Sequence, residues 1–263
     1  MANESDKATR QARQVGLIIA LRAVLLDLDD TLFDHAHATH CALRQLQALE
    51  PGLAGWELQA LRREHASVLE ELHAEVLGGR ITIEAARIER FRRLIELGAS
   101  RNGSGDAAPD VEARAADAAR RYREAYEQGW QPVEGAPALL AGLKNAGLAV
   151  VVVTNNIVSE QRRKLERCAL GACVDALVTS EEVGVQKPDA RIFQVALEQA
   201  GAEAGEAVML GDNWLNDIEG ARAAGIRAVW LNRTGAPHPD PSVPELRALV
   251  PTDHVIRTLL PPA

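Results

Sequence analysis

The apolar residues fall into two patterns that alternate along the chain, and the switches between them divide it. Ala23–Leu28 is an apolar run without amphipathic alternation, as in a strand buried on both faces, and the acids Asp27, Asp29 and Asp30 close it. Helical spacing follows over His35–Leu49, Trp56–Leu77, Thr82–Leu97 and Val111–Gln128. Pro51-Gly52, Gly78-Gly79, Gly98 and the polar stretch Arg101–Asp110, which reads as a loop, punctuate it. Beyond residue 134 the period alternates. Helices are predicted over Ala136–Asn145, Glu160–Leu170, Ala190–Ala200, Asn216–Ala224 and Glu245–Leu260, and strands over Ala149–Val153, Asp175–Thr179, Ala207–Leu210 and Ile226–Leu231.

Strands alternating with short helices imply βαβ units and a parallel sheet, so the fold class is α/β with a Rossmann-like core. The gap between the first and second strands is too long and too helical for a plain crossover. It predicts an all-helical cap domain at 34–133, inserted into a core made of 17–33 plus 134–263, with 1–16 a polar extension. The apolar run Gly16–Leu21 is interrupted by Arg22, too short for a membrane span and wrongly flanked for a signal peptide, which makes a cytoplasmic protein the expectation.

Composition narrows the partners. Apolar residues make up 47% of the 263, enough for a large core, but aromatics only 3%, so that core is mostly Ala, Leu and Val. A net charge of −8 weighs against nucleic-acid binding, which wants a basic face, though a local cation cluster can still hold a small anion. Lysine occurs only at Lys7, Lys144, Lys164 and Lys187. Cys41, Cys168 and Cys173 have no metal-ligand spacing and read as thiols in a reducing compartment.

Four polar groups lie just after predicted strands: Asp27-x-Asp29-x-Thr31, Thr154-Asn155, Lys187, and Gly211-Asp212 with Asp217. Open α/β sheets bind ligands at the carboxyl ends of their strands, where all four would converge. One Asp there is ordinarily a cap, but three acids in four positions repel one another and need a cation, and hard oxygen ligands imply Mg²⁺. Lys187 is either a surface lysine or a point charge facing a carboxylate and a phosphate. Thr154 is either a helix cap or, with the turn after it, an anion-binding group.

These segments, in this order, resemble the signatures of the haloacid-dehalogenase-like hydrolase superfamily: Leu26-Asp27-Leu28-Asp29-Asp30-Thr31-Leu32, Val153-Thr154-Asn155, Lys187-Pro188-Asp189 and Gly211–Asp217. The likeness spans residues 22–235 and leans toward the pyrimidine 5′-nucleotidase and N-acylneuraminate-9-phosphatase branch. It implies that Asp27 is the nucleophile, that Asp29 protonates the leaving oxygen and then activates water, and that Thr31 positions Asp29. It further implies that Thr154 and Asn155 bind the phosphoryl group, that Lys187 neutralises charge, and that Mg²⁺ sits among Asp27, the Asp29 carbonyl, Asp212 and Asp217. The implied activity is phosphomonoester hydrolysis of a small molecule, a nucleoside 5′-monophosphate or sugar phosphate, by a monomer or homodimer. A phosphomutase, a 2-haloacid dehalogenase or a non-catalytic binding protein are the alternatives, and Asp29 with Asp212 weighs against the dehalogenase. Asn156 stands where relatives more often carry Gly, and Trp214 is unusual in its loop; Arg80, Arg87 and Arg90 are candidate substrate contacts, with a solvated cationic helix face as the bland reading. Trp56, Trp130, Trp214 and Tyr122 are the few positions able to stack on a base.

Overall fold

A computed structural model of the protein describes residues 21–101 and 110–260. The polar extension at 1–16 and most of the predicted loop Arg101–Asp110 lie outside them. Five strands form where the chain is densest in β-branched and aliphatic residues: β1 (Ala23–Leu26), β2 (Ala149–Thr154), β3 (Ala176–Thr179), β4 (Ala207–Gly211) and β5 (Arg227–Leu231). With a two-residue edge strand, β6 (Glu245–Leu246), they make one parallel sheet in the order β3-β2-β1-β4-β5-β6.

Alternate residues of each strand point to opposite faces, and both faces are buried. Val24, Leu26, Val150, Val152, Val208 and Leu210 share one apolar layer with Leu139 and Leu143 of α5 (Ala136–Asn145) and Val255 and Leu259 of α8 (Thr252–Leu259). Leu25, Val151, Val153 and Met209 pack on the other side against Ile192, Phe193 and Ala196 of α7 (Ala190–Ala200). The connection after β2 is α6 (Val158–Arg167). Leu26 of β1 pairs with Val152 on one side and Leu210 on the other, so the chain order reverses across β1 and a crevice opens at its carboxyl end.

Between β1 and β2 the chain forms an all-helical cap: α1 (His35–Leu49), α2 (Leu58–Leu77), α3 (Ile83–Arg101) and α4 (Val111–Gln128). Asp34 caps α1 by accepting from the His37 N–H at 3.3 Å, and Asp30, at φ 63°, accepts from the Ala36 N–H at 2.7 Å. The strands of chain leading into and out of the cap run side by side: Asp34 N donates to Gln131 O at 3.0 Å and Val133 N to Leu32 O at 2.8 Å. Arg233, just after β5, straps this junction through Asp34 at 3.3 Å and Asp30 at 3.7 Å.

Two stretches differ from the sequence expectation. The helix predicted over Glu245–Leu260 is an edge strand, a loop and then α8, because Pro251 has no N–H to give a helix and cannot sit in a helix interior, so no helix runs through it and α8 begins just after it. The segment predicted as one helix over Asn216–Ala224 opens as a π-turn, Trp214–Glu219, before one α-turn, Gly220–Ala223. Pro188 lies outside α7, which Asp189 caps by accepting from the Arg191 N–H at 2.8 Å.

His65 is buried in the cap with its ring 5.0 Å from Tyr122 and 6.0 Å from Phe91, and its Nε2 has no hydrogen-bond partner. Burial, then the Arg90 cation, pushes its pKa well below the ordinary 6.5. Folding therefore favours the neutral ring, and stability is intact above the unfolded-state value and declines as pH falls below it. Urea unfolding of the wild type should lose up to about 1.4 kcal/mol per pH unit below 6.5 from this group. His65→Phe should lose measurably less between pH 7 and pH 5, and an unchanged acid slope would contradict the assignment.

Candidate active site

The register of β1, β2 and β4 brings the residues that follow them to one place. Asp27 is the first residue after β1, its N–H donating to Leu210 O at 3.0 Å. Its carboxylate accepts from Lys187 Nζ at 2.6 Å. The same ammonium donates to Asp217 Oδ1 at 2.7 Å and to Val153 O at 2.8 Å, which uses its three protons. The Asn155 carboxamide grips the lysine from behind, accepting from Lys187 N at 2.7 Å and donating to Lys187 O at 2.9 Å. Asn155 thus has its side chain committed to Lys187, a use that its place beside Thr154 does not announce.

Oxygens of Asp27, Asp212 and Asp217 lie within 4.8 Å of one another. Gly211 makes this possible, because a Cβ there would overlap the Asp217 carboxylate. Asp217 also accepts from the Asn213 N–H at 2.9 Å, and the Thr31 hydroxyl reaches Asp212 Oδ1 at 3.5 Å, the limit of a hydrogen bond. Thr31 therefore touches Asp212 and not Asp29. Two carboxylates share the one ammonium, and Asp212 lies beside them without a bond to it. Burial opposes the Lys187 charge, but Asp217 and Asp27 raise its pKa and keep it protonated. The deficit falls on the acids. Burial lifts Asp27, Lys187 pulls it back and Asp217 lifts it again, to about 7. Burial, Asp27 and Asp217 lift Asp212 well above the usual carboxylate range. An all-oxygen, under-compensated donor set of this kind fits a small hard divalent cation such as Mg²⁺.

Asp29 points its carboxylate elsewhere, into ligands the sequence did not reveal. Lys164 Nζ donates to its Oδ1 at 2.6 Å and Gln161 Nε2 to its Oδ2 at 3.0 Å. Gln161 also donates to Thr154 Oγ1 at 2.7 Å, which links Asp29 to the end of β2. Both come from the first turns of α6, three residues apart and therefore on one face. Burial works against the Asp29 charge, but Lys164, His35 and these hydrogen bonds bring its pKa down to about 2. Lys164 is itself fully buried, with its ammonium 4.8 Å from the centre of the Phe33 ring. Its rarity among the lysines was the one available signal.

Above Asp29 a cleft of about 320 Å³ separates core from cap. Asn155, Asn156, Glu160 and Lys164 form its core side, and His73, Arg87, Arg90, Tyr122, Arg123 and Tyr126 its cap side. Arg87 and Arg123 pair across it with Glu160 at 3.3 and 2.6 Å. Arg80 is outside it, bound to Glu75. Of the candidate stacking residues only Tyr122 lines the cleft: Trp56 lies under Arg101, Trp130 under Arg123, Arg163 and Arg167, and Trp214 against Trp230 and His238.

Comparison with known proteins agrees with this geometry. A family model described as haloacid dehalogenase-like hydrolase matches residues 21–225. A phosphoserine phosphatase from Thermus thermophilus is 33% identical over 86% of this chain and 95% of its own length. A ribulose-1,5-bisphosphate 5-phosphatase from Halopiger xanaduensis is 31% identical over 90% of this chain and 95% of its own. Pyrimidine 5′-nucleotidases are also among the relatives. The crystal structure of YfnB from Bacillus subtilis, bound to magnesium, matches with a TM-score of 0.66 at 25% identity, covering 90% of this chain and 99% of that one. No helix among the described residues is long and apolar enough to cross a membrane.

Lys187→Met should leave Asp27 and Asp217 facing each other in a buried site with no cation between them. Urea unfolding in metal-free buffer should show a loss of about 3–5 kcal/mol, the typical cost of removing one partner from a buried ion pair. A loss below about 1 kcal/mol would mean that the lysine does not hold these carboxylates.

Proposed function

The chain belongs to the haloacid dehalogenase-like hydrolase family, and from that membership we propose that it is a Mg²⁺-dependent phosphomonoester hydrolase working through a phospho-aspartate at Asp27. The observation that carries the reading is Asp27 at the crevice of the sheet, bound to Lys187 and within reach of Asp212 and Asp217. Residues 34–133 act as the cap over this site. The substrate is a small phosphorylated metabolite, a sugar phosphate or nucleoside 5′-monophosphate or, as the names of the relatives suggest, a phospho-amino acid or a bisphosphate.

Asp27, Asp212 and Asp217 are the residues that would hold Mg²⁺, and the bound ion would offset the repulsion between an anionic nucleophile and an anionic phosphate. Lys187 holds the Asp27 carboxylate in one orientation and supplies a fixed positive charge beside it. An Asp27 oxygen attacks phosphorus, the bond to the leaving oxygen breaks, and the phosphoryl group is left on Asp27. Asp29 delivers a proton to the leaving oxygen and then takes one from the water that hydrolyses the phospho-enzyme. Held at about 2, Asp29 is ready for the second task. For the first it must gain a proton, which the arrival of a phosphate dianion favours by opposing Lys164, and which a monoanionic ester can bring with it. Gln161 keeps the Thr154 hydroxyl and the Asp29 carboxylate in register, so the phosphate-binding turn and the acid move as a unit. The dehalogenase alternative leaves this set of groups without work, since a halide departs without a proton.

Asp27→Asn should lower hydrolysis of p-nitrophenyl phosphate by about a thousandfold or more, with an unchanged circular dichroism spectrum. A folded variant that keeps its activity would refute the assignment. EDTA should abolish turnover and Mg²⁺ restore it. Mg²⁺ should also raise the melting temperature of the EDTA-treated protein, an effect weakened by Asp212→Asn. Full activity in excess EDTA would contradict the metal role.

A further inference from the structure

Among the described residues that line the cleft, one buried charge has no charged partner. Lys164 is matched by Asp29, and Arg87 and Arg123 by Glu160. The remaining acid on the wall, Glu70, is exposed. Arg90, on α3, is 8% exposed and makes no ion pair among the described residues, and its Nε is buried without a hydrogen-bond acceptor. Burial weighs most against its charge, and the nearby cations Arg87 and Arg123 add to that, while the nearby phenols Tyr122 and Tyr126 act the other way. The rings of Phe91 and Tyr122, 5.1 and 5.2 Å from its guanidinium carbon, hold it in place. They offer π-faces, which offset part of the charge and accept none of its in-plane N–H groups. His73 Nε2, on the same wall, is likewise buried and unpartnered. A buried cation without a counter-ion is a standing destabilisation, and a cleft that keeps one is built for an anion that arrives from outside.

We propose that the substrate carries a second anionic group, a carboxylate or a phosphate, on its leaving-group side, and that Arg90 binds it at the cap wall of the cleft whose core wall holds Asp29. The inference rests on the hydrolase reading above and narrows its substrate class. Both anions match the planar fork of a guanidinium, which can donate two parallel N–H bonds to either. The cleft volume of about 320 Å³ suits a small leaving group reaching from the phosphate to Arg90. An uncharged leaving group would leave Arg90 buried and still unmatched, so discrimination against such esters is part of the same device.

The test compares esters that differ only in the second anion: O-phosphoserine against O-phosphoethanolamine for a carboxylate, and ethylene glycol bisphosphate against ethylene glycol monophosphate for a phosphate. In the wild type, kcat/KM should favour the anionic member of at least one pair by about 10- to 100-fold, the worth of a charge-assisted hydrogen-bond pair. Which pair responds identifies the anion. Arg90→Met should bring that ratio close to one, and Arg90→Lys, which keeps charge without the fork, should retain part of it. Ratios near one in both wild-type pairs, or a ratio that survives Arg90→Met, would overturn the inference. The wild-type ratios decide the matter alone if the variants fail to fold. Hydrolysis of p-nitrophenyl phosphate with flat ratios overturns this inference only, whereas no turnover of any ester overturns the hydrolase reading with it.

Discussion

The Lys187 ammonium, lodged between Asp27 and Asp217 and capped by the Val153 carbonyl, ties the ends of three strand connections into one site. One carboxylate follows an apolar strand and the other is buried in the turn Trp214–Glu219, and in either place an isolated charge would cost several kcal/mol. One lysine cannot neutralise three acids. The balance leaves Asp27 and Asp212 raised, a residual demand for positive charge that a finished salt bridge would not have and that the proposed cation would meet. The glycine at 211 and the Asn155 clamp on the lysine backbone are geometric conditions of this arrangement.

A second lysine repeats the device one layer out. Lys164 is buried beneath the cleft and holds Asp29 as a carboxylate, while Gln161 fastens Asp29 to Thr154. Asp27 and Asp29 are two residues apart, yet their environments push them in opposite directions, one to about 7 and the other to about 2. Separate roles for neighbouring carboxylates need such a split. The cap completes the charge pattern from above: Glu160 of α6 is bridged by Arg87 of α3 and Arg123 of α4, so cap and core meet through ion pairs at the rim of the cleft. Under the proposed function, a cover of this kind would have to break and remake these pairs as it opens and closes.

Much of this was legible in the sequence because strand ends leave a clear mark. Asp27, Thr154 and Gly211-Asp212 each end an unbroken apolar run, so their convergence followed from the α/β alternation, and the resemblance to the family signatures brought in Lys187. Side chains that reach the site from within a helix leave no such mark. Gln161 and Lys164 read as ordinary polar positions of an amphipathic helix until α6 is docked on the sheet. Thr31 and Asn155 were legible as site residues but not in their contacts, since a hydroxyl or carboxamide at a turn can face several partners and tertiary packing chooses. Period alone failed at the C-terminus, where Pro251 outweighed the apolar spacing of Glu245–Leu260. The arginines looked alike on the page of the sequence; burial and partnering separate Arg80 and Arg87 from Arg90.

The central claim is that Asp27 carries the phosphoryl group during turnover. Acid-quenching the Mg²⁺-loaded enzyme with a turning-over ester, reducing with borohydride and mapping peptides by mass spectrometry tests it at the residue itself, because borohydride converts an acyl phosphate to an alcohol and leaves free carboxylates intact. Reduction confined to Asp27, dependent on substrate, is the expected result. A reduced residue at any other aspartate, or none at all despite a quench during steady turnover, would contradict it.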